Sequence, residues 1–109
     1  MDITSTMKEV RRINGEHGFQ STGRGLFCEK MLLVVSEISE ALEEFRKGRG
    51  LAEIYFSDEL KPEGIPIEIA DAVIRIFDFC EANNIDLEDA LAIKMSYNER
   101  RPFKHGKEM

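Results

Sequence analysis

Hydrophobic positions recur at helical spacing in four stretches of the chain, separated by segments rich in glycine, proline or asparagine. Ile3, Met7, Val10 and then Ile13 or Asn14 keep the period and predict a first helix over about residues 4–16, with Thr6-x-x-Glu9 as its capping box. The run from Gly15 to Gly25, GEHGFQSTGRG, breaks that helix and reads as a loop. No strand precedes it and no Gly-Lys-Ser/Thr follows, so it is not a phosphate-binding P-loop. Phe19 stands out as an aromatic within a loop, where functional side chains concentrate.

A second helix is predicted from about Leu26 to Lys47, stopped by Gly48-Arg49-Gly50. Met31, Val34, Val35, Ile38, Ala41, Leu42 and Phe45 form its main apolar face, with Glu37, Glu40 and Glu44 on the far side. Leu26 and Leu33 continue the glutamate stripe toward the N-terminus, so that stripe is expected to meet protein at one end at least. Residues 51–65 form an irregular connection punctuated by Pro62 and Gly64. Pro66 suits the first position of a third helix, which runs to about Asn83. Ile69, Val73, Ile76, Phe77 and Cys80 make its expected core face. Glu68, Asp71, Arg75 and Asp78 lie opposite, flanked by Ile67, Ile74 and Phe79, so this helix is expected to be buried along two seams. Asp78 could orient Arg75 or sit near the acidic cluster, and an ordinary ion pair on the helix face accounts for it equally well. Asp86, supported by Asp89, caps a fourth helix through Leu87, Ala90, Leu91 and Met95 or Lys94, which ends near Arg100 ahead of Pro102. No segment carries a convincing strand signal, and there is no repeat. The expected fold class is therefore all-α, in a single domain over residues 1–109 with a basic tail from residue 101.

Net charge narrows the function classes. At −6 the chain is a poor partner for a nucleic acid polymer, although residues 94–107 hold five lysines and arginines. Cys28 and Cys80 have no metal-type spacing and fit a reducing, cytoplasmic setting. No apolar run approaches the length of a membrane span and no signal peptide is apparent, so no membrane partner is expected. A chain of this size buries a modest core, which makes oligomerisation an expectation.

The chemistry lies in two acidic pairs, Glu37-Ile38-Ser39-Glu40 and Glu68-Ile69-Ala70-Asp71. On a helix, a spacing of three residues projects both carboxylates the same way, about 5–6 Å apart at Cβ. Two such helices face to face would gather four anions, which need a cation, and hard oxygen donors suit Mg²⁺ or Mn²⁺. Spacing alone decides nothing. The pairs 37/40, 40/43, 68/71, 78/81 and 86/89 all share it, and about four are expected by chance at this acidity.

Three segments in order are more specific: SEISEALEEFRKG, GIPIEIADAVIRIFDF and KMSYNERRPFKHGK. Over roughly residues 26–107 the chain resembles the MazG-like nucleotide pyrophosphohydrolases of the all-α NTP pyrophosphatase superfamily. The resemblance implies a four-helix bundle completed by assembly into a homodimer or homotetramer. It implies Mg²⁺-dependent cleavage of an NTP or dNTP to the monophosphate and pyrophosphate. By position, Glu37, Glu40, Glu68 and Asp71 would be the catalytic metal ligands, and Lys94, Asn98 and Arg101 would bind the phosphates. Tyr97 is equally well read as a core residue. A bound cation would reverse the field of the carboxylates and acidify a water, and a carboxylate not used in coordination is free to take its proton.

Two other readings were weighed. A di-iron bundle needs Glu-x-x-His on two helices, and His17 and His105 do not supply it. His17 reads as a helix-end residue, His105 as part of the tail, and Cys80 as a small hydrophobe. The alternative function is a non-catalytic helical dimerisation or regulatory module that retains the fold.

Overall fold

The computed structural model describes residues 2–102. Lys104, His105 and Lys107 lie outside the described residues. Four helices carry most of the chain: α1 (Ile3–Glu16), α2 (Phe27–Arg46), α3 (Ile65–Ala82) and α4 (Leu87–Glu99). A 3₁₀ turn, Arg24–Leu26, leads into α2. The all-α expectation holds, with one addition in the α2–α3 connection. There β1 (Tyr55–Phe56) and β2 (Pro62–Glu63) form a two-residue antiparallel ladder, Tyr55 opposite Glu63 and Phe56 opposite Pro62. Its turn is closed by Ser57 N to Lys61 O at 2.9 Å and by Leu60 in left-handed backbone. Two residues per strand are too few to show a period, so the sequence does not reveal them.

Local chemistry sets the helix ends. Asp2, rather than Thr6, caps α1: its carboxylate accepts from Ser5 N at 2.7 Å, and Thr6 Oγ1 donates to the Asp2 carbonyl at 2.6 Å. The capping box at Thr6 and Glu9 does not form, because an equally good cap lies one turn earlier. Asp86 caps α4 as expected, accepting from Asp89 N at 3.0 Å. α1, α2 and α3 all stop through Schellman bonds, Phe19 N to Asn14 O at 3.0 Å, Arg49 N to Glu44 O at 3.2 Å and Ile85 N to Cys80 O at 2.8 Å. Gly64, at φ +124°, enters α3 where an added Cβ would overlap the Glu53 carbonyl oxygen.

α3 is the centre of the packing. α2 lies antiparallel along one side of it and α1 along another, while α4 packs against α1. The Phe27 and Phe79 rings meet edge to face at 5.5 Å at one end of the α2–α3 seam. The buried side of α2 is centred on Val34, Glu37 and Glu44, so the helix sits about a quarter turn from the orientation expected of its apolar face. Val35, Ile38, Leu42 and Phe45 are exposed instead, as are Ile69 and Val73 of α3. α3 buries Ile65, Ala72, Asp78, Phe79 and Cys80. Tyr97, one candidate for the core, is exposed on α4. The radius of gyration, 16.6 Å, exceeds the roughly 13 Å of a compact chain of this length.

A polar lock fixes the glycine-rich loop. Arg11 Nη1 pairs with Asp78 Oδ1 at 2.8 Å, and Arg11 Nη2 donates to the Phe19 carbonyl at 2.6 Å. Ser21 Oγ donates to the other Asp78 oxygen. Asn83 Nδ2 donates to Ser21 O at 2.8 Å, and Gly23 N donates to Asn83 Oδ1 at 2.6 Å. Asp78 thus serves α1 and the loop, and does not orient Arg75.

Candidate metal centre

The quarter-turn offset brings the glutamate stripe of α2 against α3. Glu37 and Glu40 come from α2, and Glu68 and Asp71 from the first half of α3. Carboxylate oxygens of Glu37, Glu40 and Glu68 lie within 4.8 Å of one another. Asp71 stands beside this trio and, with Glu37, faces a cavity of about 230 Å³. Asn14, Phe19, Lys30, Ile74, Arg75 and Asp78 also line it, so Asp78 stands near the cluster as well as in the loop lock.

Within the trio one carboxylate is paired and another is left with an unpartnered oxygen. Glu37 is buried, and its Oε1 accepts from Arg75 Nε at 2.9 Å. Glu68 Oε2 is shut off from solvent and has no hydrogen-bond partner among the described residues. Burial first, and then the Glu40 carboxylate beside it, push the Glu68 pKa from 4.5 up to about 7. Burial and the Glu37 charge raise Asp71 in the same way, opposed by Arg75. A lone, solvent-free carboxylate oxygen is costly unless something occupies it. Oxygens on a shared Mg²⁺, each about 2.1 Å from it, lie up to about 4.2 Å apart. A spread of 4.8 Å among three flexible glutamates is close to that, so the donor set fits a hard divalent cation.

Lys94 and Asn98 share a face of α4, while Arg101, expected on the same helix, lies two residues beyond its end at Glu99. Lys94 Nζ and the Arg101 guanidinium sit 5.0 and 5.1 Å from the Tyr97 ring centroid, and Arg101 reaches Asn98 Oδ1 at 3.5 Å. None of the three lines the cavity beside the carboxylates, because α4 packs on α1. The cations that do line it are Lys30 and Arg75. The sequence places Arg75 on the stripe of Glu68 and Asp71 but assigns it no part in the site, and Lys30 is not singled out. The signal was there in register: Lys30 lies seven residues before Glu37, and Arg75 seven after Glu68, each on the same side of its helix.

The fold and site define a class: a helical protein with a carboxylate cluster at an antiparallel helix pair. No protein-family model, curated protein or solved structure matches this chain.

Proposed function

We propose that this protein is a Mg²⁺-dependent nucleoside triphosphate pyrophosphohydrolase, which releases a monophosphate and pyrophosphate from an NTP or dNTP and so clears unwanted nucleotides from the pool. The observation that carries the reading is the convergence of Glu37, Glu40 and Glu68, with an unpartnered oxygen on Glu68, beside a cavity that Glu37 and Asp71 line. Glu37, Glu40, Glu68 and Asp71 would hold the metal, and Mn²⁺ suits the same oxygen donors. When bound, the metal supplies charge to the triphosphate and an acidic water. The chain's own residues then do two things. The carboxylate least engaged with the metal takes the water's proton. The protein walls of the cavity hold the nucleotide against the cluster.

The exposed apolar stripe of α2 and α3 supports assembly into a homodimer or homotetramer. In such an assembly Lys94, Asn98 and Arg101 serve the site of a neighbouring copy. A cytoplasmic location goes with free Cys28 and Cys80, and among the described residues no helix is long and apolar enough to cross a membrane. The same stripe also favours the second reading, a dimerisation module without turnover. A panel of ordinary and damaged NTPs and dNTPs, scored for pyrophosphate with and without Mg²⁺, separates the two. Metal-dependent release from any member supports the enzyme, and silence across the panel supports the module.

A further inference from the structure

Arg75 uses only part of its guanidinium within the chain. Its Nε is spent on Glu37 Oε1, at 2.9 Å, while among the described residues neither Nη group donates a hydrogen bond. The side chain is 37% exposed and forms a wall of the cavity that Glu37 and Asp71 also line. The free edge of the guanidinium is a planar fork, the shape that grips two oxygens of one phosphoryl group. Lys30 lines the same cavity and makes no ion pair among the described residues. Among the described residues, one free cation, Lys30, and one arginine with its Nη edge unused therefore stand beside a carboxylate cluster, in a place that the basic face of α4 does not reach within the chain.

We propose that Arg75, assisted by Lys30, is the polyphosphate-binding group of this site, with Glu37 holding the guanidinium so that its free edge faces the cavity. The ligand class is a metal-complexed polyphosphate chain. A cation is needed because the carboxylates alone would repel such an anion. Arginine supplies directed donors and lysine a movable point charge. The assignment rests on the reading of the site as a nucleotide-cleaving centre, but its test does not depend on turnover.

Inorganic tripolyphosphate in Mg²⁺ buffer is the probe, with binding followed by calorimetry on the full chain. Arg75→Ala is expected to weaken binding by about tenfold or more, Arg75→Lys by less, and Lys30→Ala by about threefold. Mg²⁺ alone is measured in parallel. Loss of Arg75 removes a competing positive charge from Glu37, so Mg²⁺ affinity is expected to stay level or rise. Opposite movement of the two affinities is the signature of a phosphate ligand, since a merely structural role would lower both. The proposal is overturned if the wild type does not bind tripolyphosphate, or if Arg75→Ala binds it within twofold of wild type. Should Arg75→Ala fail to fold, undiminished binding by both Arg75→Lys and Lys30→Ala overturns it. Failure of the enzymatic reading looks different, because tripolyphosphate still binds through Arg75 while no nucleotide is cleaved.

Discussion

At Glu68 a carboxylate is held where its charge is unwelcome. Its folded pKa of about 7 lies above the 4.5 of the free side chain. Below the lower value both folded and unfolded chains carry the proton, and nothing is lost. Between the two the unfolded chain ionises first, so stability falls as pH rises and levels off above the folded pKa. The metal-free protein is therefore expected to melt at a lower temperature at pH 8 than at pH 5. Glu68→Gln should flatten this dependence, and melting curves in chelator at both pH values check it. Glu68→Gln and Glu40→Gln should also weaken Mg²⁺ binding and turnover while leaving the helical signal intact. Full activity of Glu68→Gln at limiting Mg²⁺ would remove Glu68 from the ligand set.

At the scale of elements, the glycine-rich loop depends on one buried group. Asp78 receives Arg11 from α1 and Ser21 from the loop, and Asn83 ties the loop again one turn further on. Asp78→Ala removes a charge-assisted pair and leaves Arg11 short of a partner, at an expected cost of about 3 kcal/mol in unfolding free energy, measured by denaturant titration. Hydrogen exchange should rise most in residues 19–23, with the α2–α3 seam less affected. A uniform loss of protection would mean that the lock holds the whole fold rather than the loop. The α2–α3 connection has a different constraint. Gly64→Ala meets both the Glu53 carbonyl and an unsuitable φ, so it should destabilise by roughly 1–3 kcal/mol.

For the whole molecule, the expanded shape and the exposed Val35, Ile38, Leu42 and Phe45 point to a surface meant to be covered. Sedimentation at micromolar concentration is expected to show a dimer or larger, and Ile38→Asp should shift it toward monomer. A wild type that sediments only as monomer would count against assembly. The basic end of α4 gives a sharper test. Arg101→Ala should lower kcat about 10²-fold if it stabilises departing pyrophosphate. If that arginine serves a neighbour's site, mixing inactive Arg101→Ala with inactive Glu68→Gln protein should restore part of the activity. No recovery on mixing would place Arg101 on its own chain's site or on none.

By itself the sequence determined four helices, each end within a residue or two, because apolar period and helix stops are local properties of the chain. It also determined that Glu37 and Glu40, and Glu68 and Asp71, project as pairs, since three residues span less than one turn. Which stripe of α2 faces inward was decided only in the tertiary structure. Burial of apolar area favours Val35, Ile38 and Phe45, yet within one chain α3 offers Arg75 to Glu37, and the connection offers the Tyr55 hydroxyl to Glu44 at 2.7 Å. Leu26 and Leu33, in line with the glutamates, already marked that stripe as one that meets protein, but the partners that turn it fully inward come from other elements. The Arg11–Asp78 pair, 67 residues apart, and the Phe19 carbonyl that shares Arg11 were hidden for the same cause. So was the exchange of cations at the cavity. A periodic pattern reports that two charges share a face, whereas the packing of that helix against the others decides what the face meets.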